Sequence, residues 1–127
     1  MSNEVFNRAR YVSLRTYRKS GVAVDTPVWC ALSESSIWVF SESRAGKIKR
    51  LRKNPQVQLA ECDYGGKLLG DWVDATAEII ETEVDVRAAL KSLRQKYGWQ
   101  MLMADWGSKL TGKFKKRAYI KVVLNHL

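Results

Sequence analysis

Six cations fall between Arg44 and Lys53 in the stretch SRAGKIKRLRKNP: Arg44, Lys47, Lys49, Arg50, Arg52 and Lys53. Asn54 and Pro55 close it. Positive charge at this density can neutralise a nucleic-acid backbone, hold the phosphate of a small ligand, or simply solvate one face of a helix. A phosphate wants two or three convergent donors, and a lysine and an arginine one helical turn apart provide them. Lys47 and Arg50 have that spacing, while Lys49, Arg52 and Lys53 point elsewhere on a helix.

The rest of the chemical inventory is thin. Cys30 and Cys62 lie far apart, in apolar stretches and in no CxxC arrangement, so both read as reduced, buried and non-catalytic. His126 is the one histidine, at the C-terminal end. There is no His/Cys cluster for a metal and no Ser-His-Asp constellation with a usable base. An enzyme with this sequence would rely on a cofactor for its chemistry. With 22 Lys and Arg against 13 Asp and Glu, the net charge is +9. That excess attracts phosphates, nucleic acids and acidic cofactors alike without choosing among them.

The elements that must position these residues follow from periodicity. The chain has 127 residues, 46% of them hydrophobic, with no repeat, low-complexity tract or linker, and reads as a single domain over 1–127. YVSLRTYR (11–18) alternates with a period of two and predicts a strand; KSG is a turn. VAVDTPVWCAL (22–32) resumes a strand, in which Pro27 demands an edge, a bulge or a break. IWVFSE (37–42) is the third strand.

In the basic segment, Ile48 and Leu51 form an inward helical face and Lys47 and Arg50 an outward one, until Pro55 ends the helix. QVQLAEC (56–62) and DWVDATAEII (71–80) are strands four and five. Thr82 with Asp85 resembles a capping box; Val86, Leu90, Leu93 and Tyr97 recur at helical spacing, and Gly98 suits the C-terminal stop, so the helix runs 83–97. A second, irregular helix over 99–110, a basic loop at 113–117 and a last strand over 117–124 complete the chain. Trp38, Trp99 and Trp106 read as packing residues. The N-terminus has no apolar h-region, no run approaches the ~20 apolar residues that span a bilayer, and the expected location is cytoplasmic.

Three stretches, SLRTYRKSGVAVDTPVWCAL, GKIKRLRKNPQVQLAECD and GDWVDATAEII, resemble in order and spacing the pyridoxamine-phosphate-oxidase-like split-barrel family. The likeness is strongest to the branch that uses a flavin or the deazaflavin coenzyme F420. It implies a mainly β (α+β) fold: a six-stranded antiparallel split β-barrel with flanking helices. It implies a homodimer whose interface groove holds coenzyme F420 or FMN. Carried onto this chain, Lys47 matches the family's phosphate-binding lysine and Arg50 follows one turn later. Ser41 stands where a strand hydroxyl contacts the cofactor, and Thr26, Pro27, Val28 and Trp29 run beside the ring. Trp72 either covers the groove from the partner chain or packs in the core. One departure is informative. The oxidases that name the family carry an arginine and a lysine where this chain has Thr26 and Ala31. Their absence argues against a pyridoxamine-phosphate oxidase, whereas TPVW suits the deazaflavin branch.

The resemblance moves the basic segment towards the phosphate answer. It implies an oxidoreductase that transfers a hydride to or from an unidentified small-molecule substrate, with no side chain assigned as acid or base. The competing class is a non-catalytic binding module, a carrier or sensor of flavin, F420 or tetrapyrrole. A nucleic-acid binder is the third class. Against it stand the lack of a helix-turn-helix pattern, of zinc ligands and of the paired aromatics of RNA-binding sheets.

Overall fold

The computed structural model describes residues 4–33, 36–42, 46–98, 100 and 117–125. The predicted helix over 99–110 (Gln100 apart), Arg44, Trp99, Trp106, the run 113–116 and His126 lie outside the described residues.

Seven strands form one antiparallel sheet. They are β1 (Tyr11–Tyr17), β2 (Ala23–Val28), β3 (Cys30–Ser33), β4 (Ser36–Glu42), β5 (Gln56–Cys62), β6 (Val73–Ile80) and β7 (Arg117–Leu124). Among the described residues three helices accompany them: α1 (Glu4–Arg8), α2 (Gly46–Lys53) and α3 (Glu83–Tyr97). The strand order is β2-β1-β5-β6-β7-β4-β3. The sheet's two edge strands are therefore β2 and β3, which are consecutive in the chain. Its edges are joined covalently through Trp29, which curls the sheet into a split barrel.

This corrects the six-strand expectation. The segment 22–32 is two strands, because the chain changes partner at Trp29: Val28 pairs with Val12 of β1, and Cys30 pairs with Val39 of β4. Trp29 belongs to neither ladder. Pro27 sits opposite Ser13 on an edge strand, where a missing N–H is tolerated.

The alternation of β1 and β5 sends Val12, Leu14, Val57 and Leu59 into the barrel, where they meet Val39, Ala75, Ile120 and Val122. Ile48 and Leu51 of α2 and Phe6 of α1 join the same core. The three-residue spacing in α2 thus does what the sequence suggested, and α1 was not anticipated. A second cluster lies under α3, where Ala89, Leu93 and Tyr97 pack on Ala31, Trp38, Ile80 and Tyr119. The start of α3 is capped by Thr82, whose Oγ1 accepts from the Asp85 N–H at 3.3 Å. At its end, Gly98 takes φ +58° and donates its N–H to Arg94 O at 2.9 Å.

Candidate functional site

A pocket of about 380 Å³ opens where β2 gives way to β3, lined by Tyr11, Pro27, Val28, Trp29, Phe40, Ser41 and Lys47. Each wall has a local cause. Tyr11 opens β1, and Phe40 and Ser41 lie at the far end of β4, opposite Tyr119 and Ala118 of β7. Lys47 stands in the first turn of α2, whose buried Ile48 and Leu51 fix the orientation of the helix.

Trp29 is held from behind. Its ring stacks on Tyr97, the last residue of α3, with centroids 4.4 Å apart and planes at 11°. It meets Phe40 edge-on at 5.9 Å and 77°. The Tyr97 hydroxyl accepts from the Cys30 N–H at 3.0 Å, and its single proton serves the carbonyl oxygen of Arg10 (2.9 Å) or Cys30 (3.0 Å). Lys96 adds bonds to the carbonyls of Phe6 (2.9 Å) and Cys30 (2.7 Å). The backbone next to the strand break is thereby pinned by two neighbouring residues of α3. Burial pushes the Cys30 thiol up to about 11, raises the Tyr97 phenol and lowers Lys96. Cys30 is thus a thiol at neutral pH and a poor nucleophile.

One lip of the pocket is the loop from Asp63 to Gly70. Asp63 Oδ1 accepts from the N–H groups of Gly65 (3.0 Å) and Lys67 (2.8 Å), and Gly66 takes φ +94°. A side chain at Gly66 would meet Pro27 Cγ at 3.8 Å, so the loop lies against the pocket strand. Tyr64 touches Tyr11 edge-on at 5.6 Å and is 80% exposed; Leu68 and Leu69 of the same loop are also exposed.

Of the residues predicted from the sequence, the structure brings together Pro27, Val28, Trp29, Ser41 and Lys47. Thr26 is on β2 opposite Leu14, outside the lining. Arg50 faces a different concavity and donates through Nε to Thr16 Oγ1 at 2.6 Å. Trp72 lies on the outer face of the sheet, over the Arg15 guanidinium at 3.8 Å, and Arg15 is in turn paired with Asp25. Tyr11 and Phe40 were missed. Tyr11 reads in the sequence as one more outward residue of an alternating strand, and only the neighbour of Ser41 on β4 hinted at Phe40.

The pocket combines a flat apolar wall with a hydroxyl and a cation at one side, a donor set suited to a planar ring carrying an anionic group. Among the described residues no group of three or more His, Cys, Asp or Glu could hold a metal ion, and no helix is long and apolar enough to cross a membrane.

Comparison with known proteins agrees with this architecture. A family model described as pyridoxamine 5'-phosphate oxidase matches residues 2–123. No curated protein sequence matches the chain. Among solved structures, a conserved hypothetical protein from Mycobacterium tuberculosis superposes with a TM-score of 0.72 at 23% identity, covering 99% of this chain and 82% of its own. The heme storage protein HutZ from Vibrio cholerae gives 0.72 at 12% identity, covering 98% and 87%. A protein described as an F420 reductase gives 0.63 at 14% identity, covering 97% and 92%. At these identities the likeness is one of fold.

Proposed function

The chain belongs to the pyridoxamine 5'-phosphate oxidase family, and from that premise we propose that it is an oxidoreductase that binds coenzyme F420 or FMN in the pocket beside Trp29. The observation that carries this reading is the meeting of Trp29, Phe40 and Lys47 around one opening at the barrel seam. The cofactor, when bound, would supply the hydride chemistry. The chain's own part is to hold and shield it. Pro27, Val28 and Trp29 give the ring an apolar wall that excludes water. Ser41 and Lys47 offer a hydroxyl and a charge to its anionic substituent. No side chain here is given the role of acid or base.

A pocket of about 380 Å³ in one copy is near the lower bound of ~300 Å³ for ligand sites. A second copy of the chain completes it in this proposal, docking over the exposed Tyr64, Leu68 and Leu69 at its lip. A carrier or sensor that binds a flavin or a tetrapyrrole without turnover is the alternative, since a flat aromatic wall accepts any planar ring. Titration with F420, FMN and haem, followed by a reduction assay with the bound cofactor, tests the reading. Saturable binding of F420 or FMN with hydride exchange supports it; haem binding with no flavin or F420 affinity overturns it.

A further inference from the structure

On the other side of α2, the β1–β2 turn and the helix enclose a second concavity of about 320 Å³. Five of its lining residues are cations, Arg18, Lys19, Lys49, Arg50 and Lys53, and among the described residues no carboxylate lines it. The ion pairs Arg15–Asp25 and Arg87–Glu83 involve none of these five.

The concavity is built. Its turn is closed by Gly21 N–H donating to Arg18 O (2.8 Å) and Arg18 N–H donating to Val22 O (2.9 Å), with Gly21 at φ +90°. Arg50 is anchored by its Nε bond to the fully buried Thr16. Its guanidinium then folds back over Gly46, the first residue of α2, so closely that a methyl group there would lie 2.8 Å from Nη1. A helix start carries partial positive charge, and α2 has no acidic residue in its first turn. A cation is thus laid over a positive helix end with a second guanidinium nearby. Burial, and then the charge of Arg18, push the Arg50 pKa down. A bound anion would offset all of these unfavourable terms together.

We propose that this concavity binds a small ligand carrying two or more phosphoryl groups. Two guanidinium groups give bidentate contacts to phosphate oxygens, and the lysines add point charges. Since a water takes up about 30 Å³, 320 Å³ leaves room for more than one phosphoryl group. FMN and F420 each carry a single phosphoryl group, so this ligand is a phosphorylated molecule separate from the cofactor of the Trp29 pocket. The inference does not depend on the oxidoreductase reading.

Calorimetric titration of the full, cofactor-free chain with inorganic tripolyphosphate, at physiological ionic strength, tests it. Saturation at one ligand per chain is expected, with orthophosphate at least about tenfold weaker. Arg18→Ala and Arg50→Ala should each weaken tripolyphosphate about fivefold to thirtyfold, and Gly46→Ala should weaken it severalfold with no loss of charge. Lys91→Ala, on the outer side of α3, should change it less than about twofold. Should Arg50→Ala fail to fold, the exposed Lys19→Ala and Lys49→Ala carry the comparison. Failure to saturate, an equal loss in Lys91→Ala, or capture of plain duplex DNA in place of tripolyphosphate would overturn the site. Repeating the titration on chain preloaded with FMN gives the second arm: unchanged affinity supports a separate ligand, and competition overturns the proposal by giving the site to the cofactor's single phosphate.

Discussion

Trp29 depends on a few polar contacts behind it, and those contacts can be tested one at a time. Tyr97→Phe keeps the ring stack but leaves the fully buried Cys30 N–H without its acceptor. An unmet buried donor costs about 1–3 kcal/mol, so urea unfolding should show a loss in that range; a loss below about 0.5 kcal/mol would mean that the bond contributes little. The thiol of Cys30 gives a pH signature. In the unfolded chain it loses its proton near 9, whereas in the fold it keeps it to about 11. Between those values the folded state binds more protons, so stability falls as pH rises. Tyr97 acts in the same direction, while Lys96, whose pKa is lowered, opposes it. Cys30→Ala should therefore show a shallower decline of melting temperature from pH 9 to 11 than the parent chain; parallel declines would contradict the assignment.

The elements differ in how far they could be read from sequence alone. For α3 the signals were local: Thr82 and Gly98 mark its ends, and the apolar residues between them repeat at helical spacing. Thr82→Ala should cost roughly 1 kcal/mol, read as a lower midpoint in thermal unfolding, and Thr82→Asp should restore most of it. The double strand at 22–32 was only half legible: Pro27 signalled an edge, a bulge or a break, but the break falls at Trp29, where the chain changes partner from β1 to β4, and such distant pairing cannot be read locally. Helix α1 is five residues long, too short for periodicity to register. In α2 the sequence separated inward from outward residues but could not show that Lys47 and Arg50 serve different hollows. Nor could it show that Arg18, read as the end of a strand, and Lys19, read as part of a turn, line one concavity with Arg50 and Lys53. For that reason Lys53 is no neutral control for Lys47, and Lys91 is the better one.

At the scale of the whole molecule, the barrel leaves an opening of about 380 Å³, and in our proposal a second copy docks over it. Sedimentation at micromolar concentration should give about twice the 14.5 kDa chain mass, and Leu69→Asp should shift it towards the monomer; a parent chain that is already monomeric would remove the shared groove. The central claim is that Lys47 and Trp29 hold one cofactor. The most direct measurement is a fluorescence titration of the parent chain, Lys47→Ala and Lys91→Ala with F420 and with FMN. A charge-assisted bond of about 1.5–3 kcal/mol predicts saturable binding of at least one of the two, weakened about tenfold to a hundredfold in Lys47→Ala and less than about twofold in Lys91→Ala. Equal losses in the two variants, or no saturation by either cofactor, would contradict it.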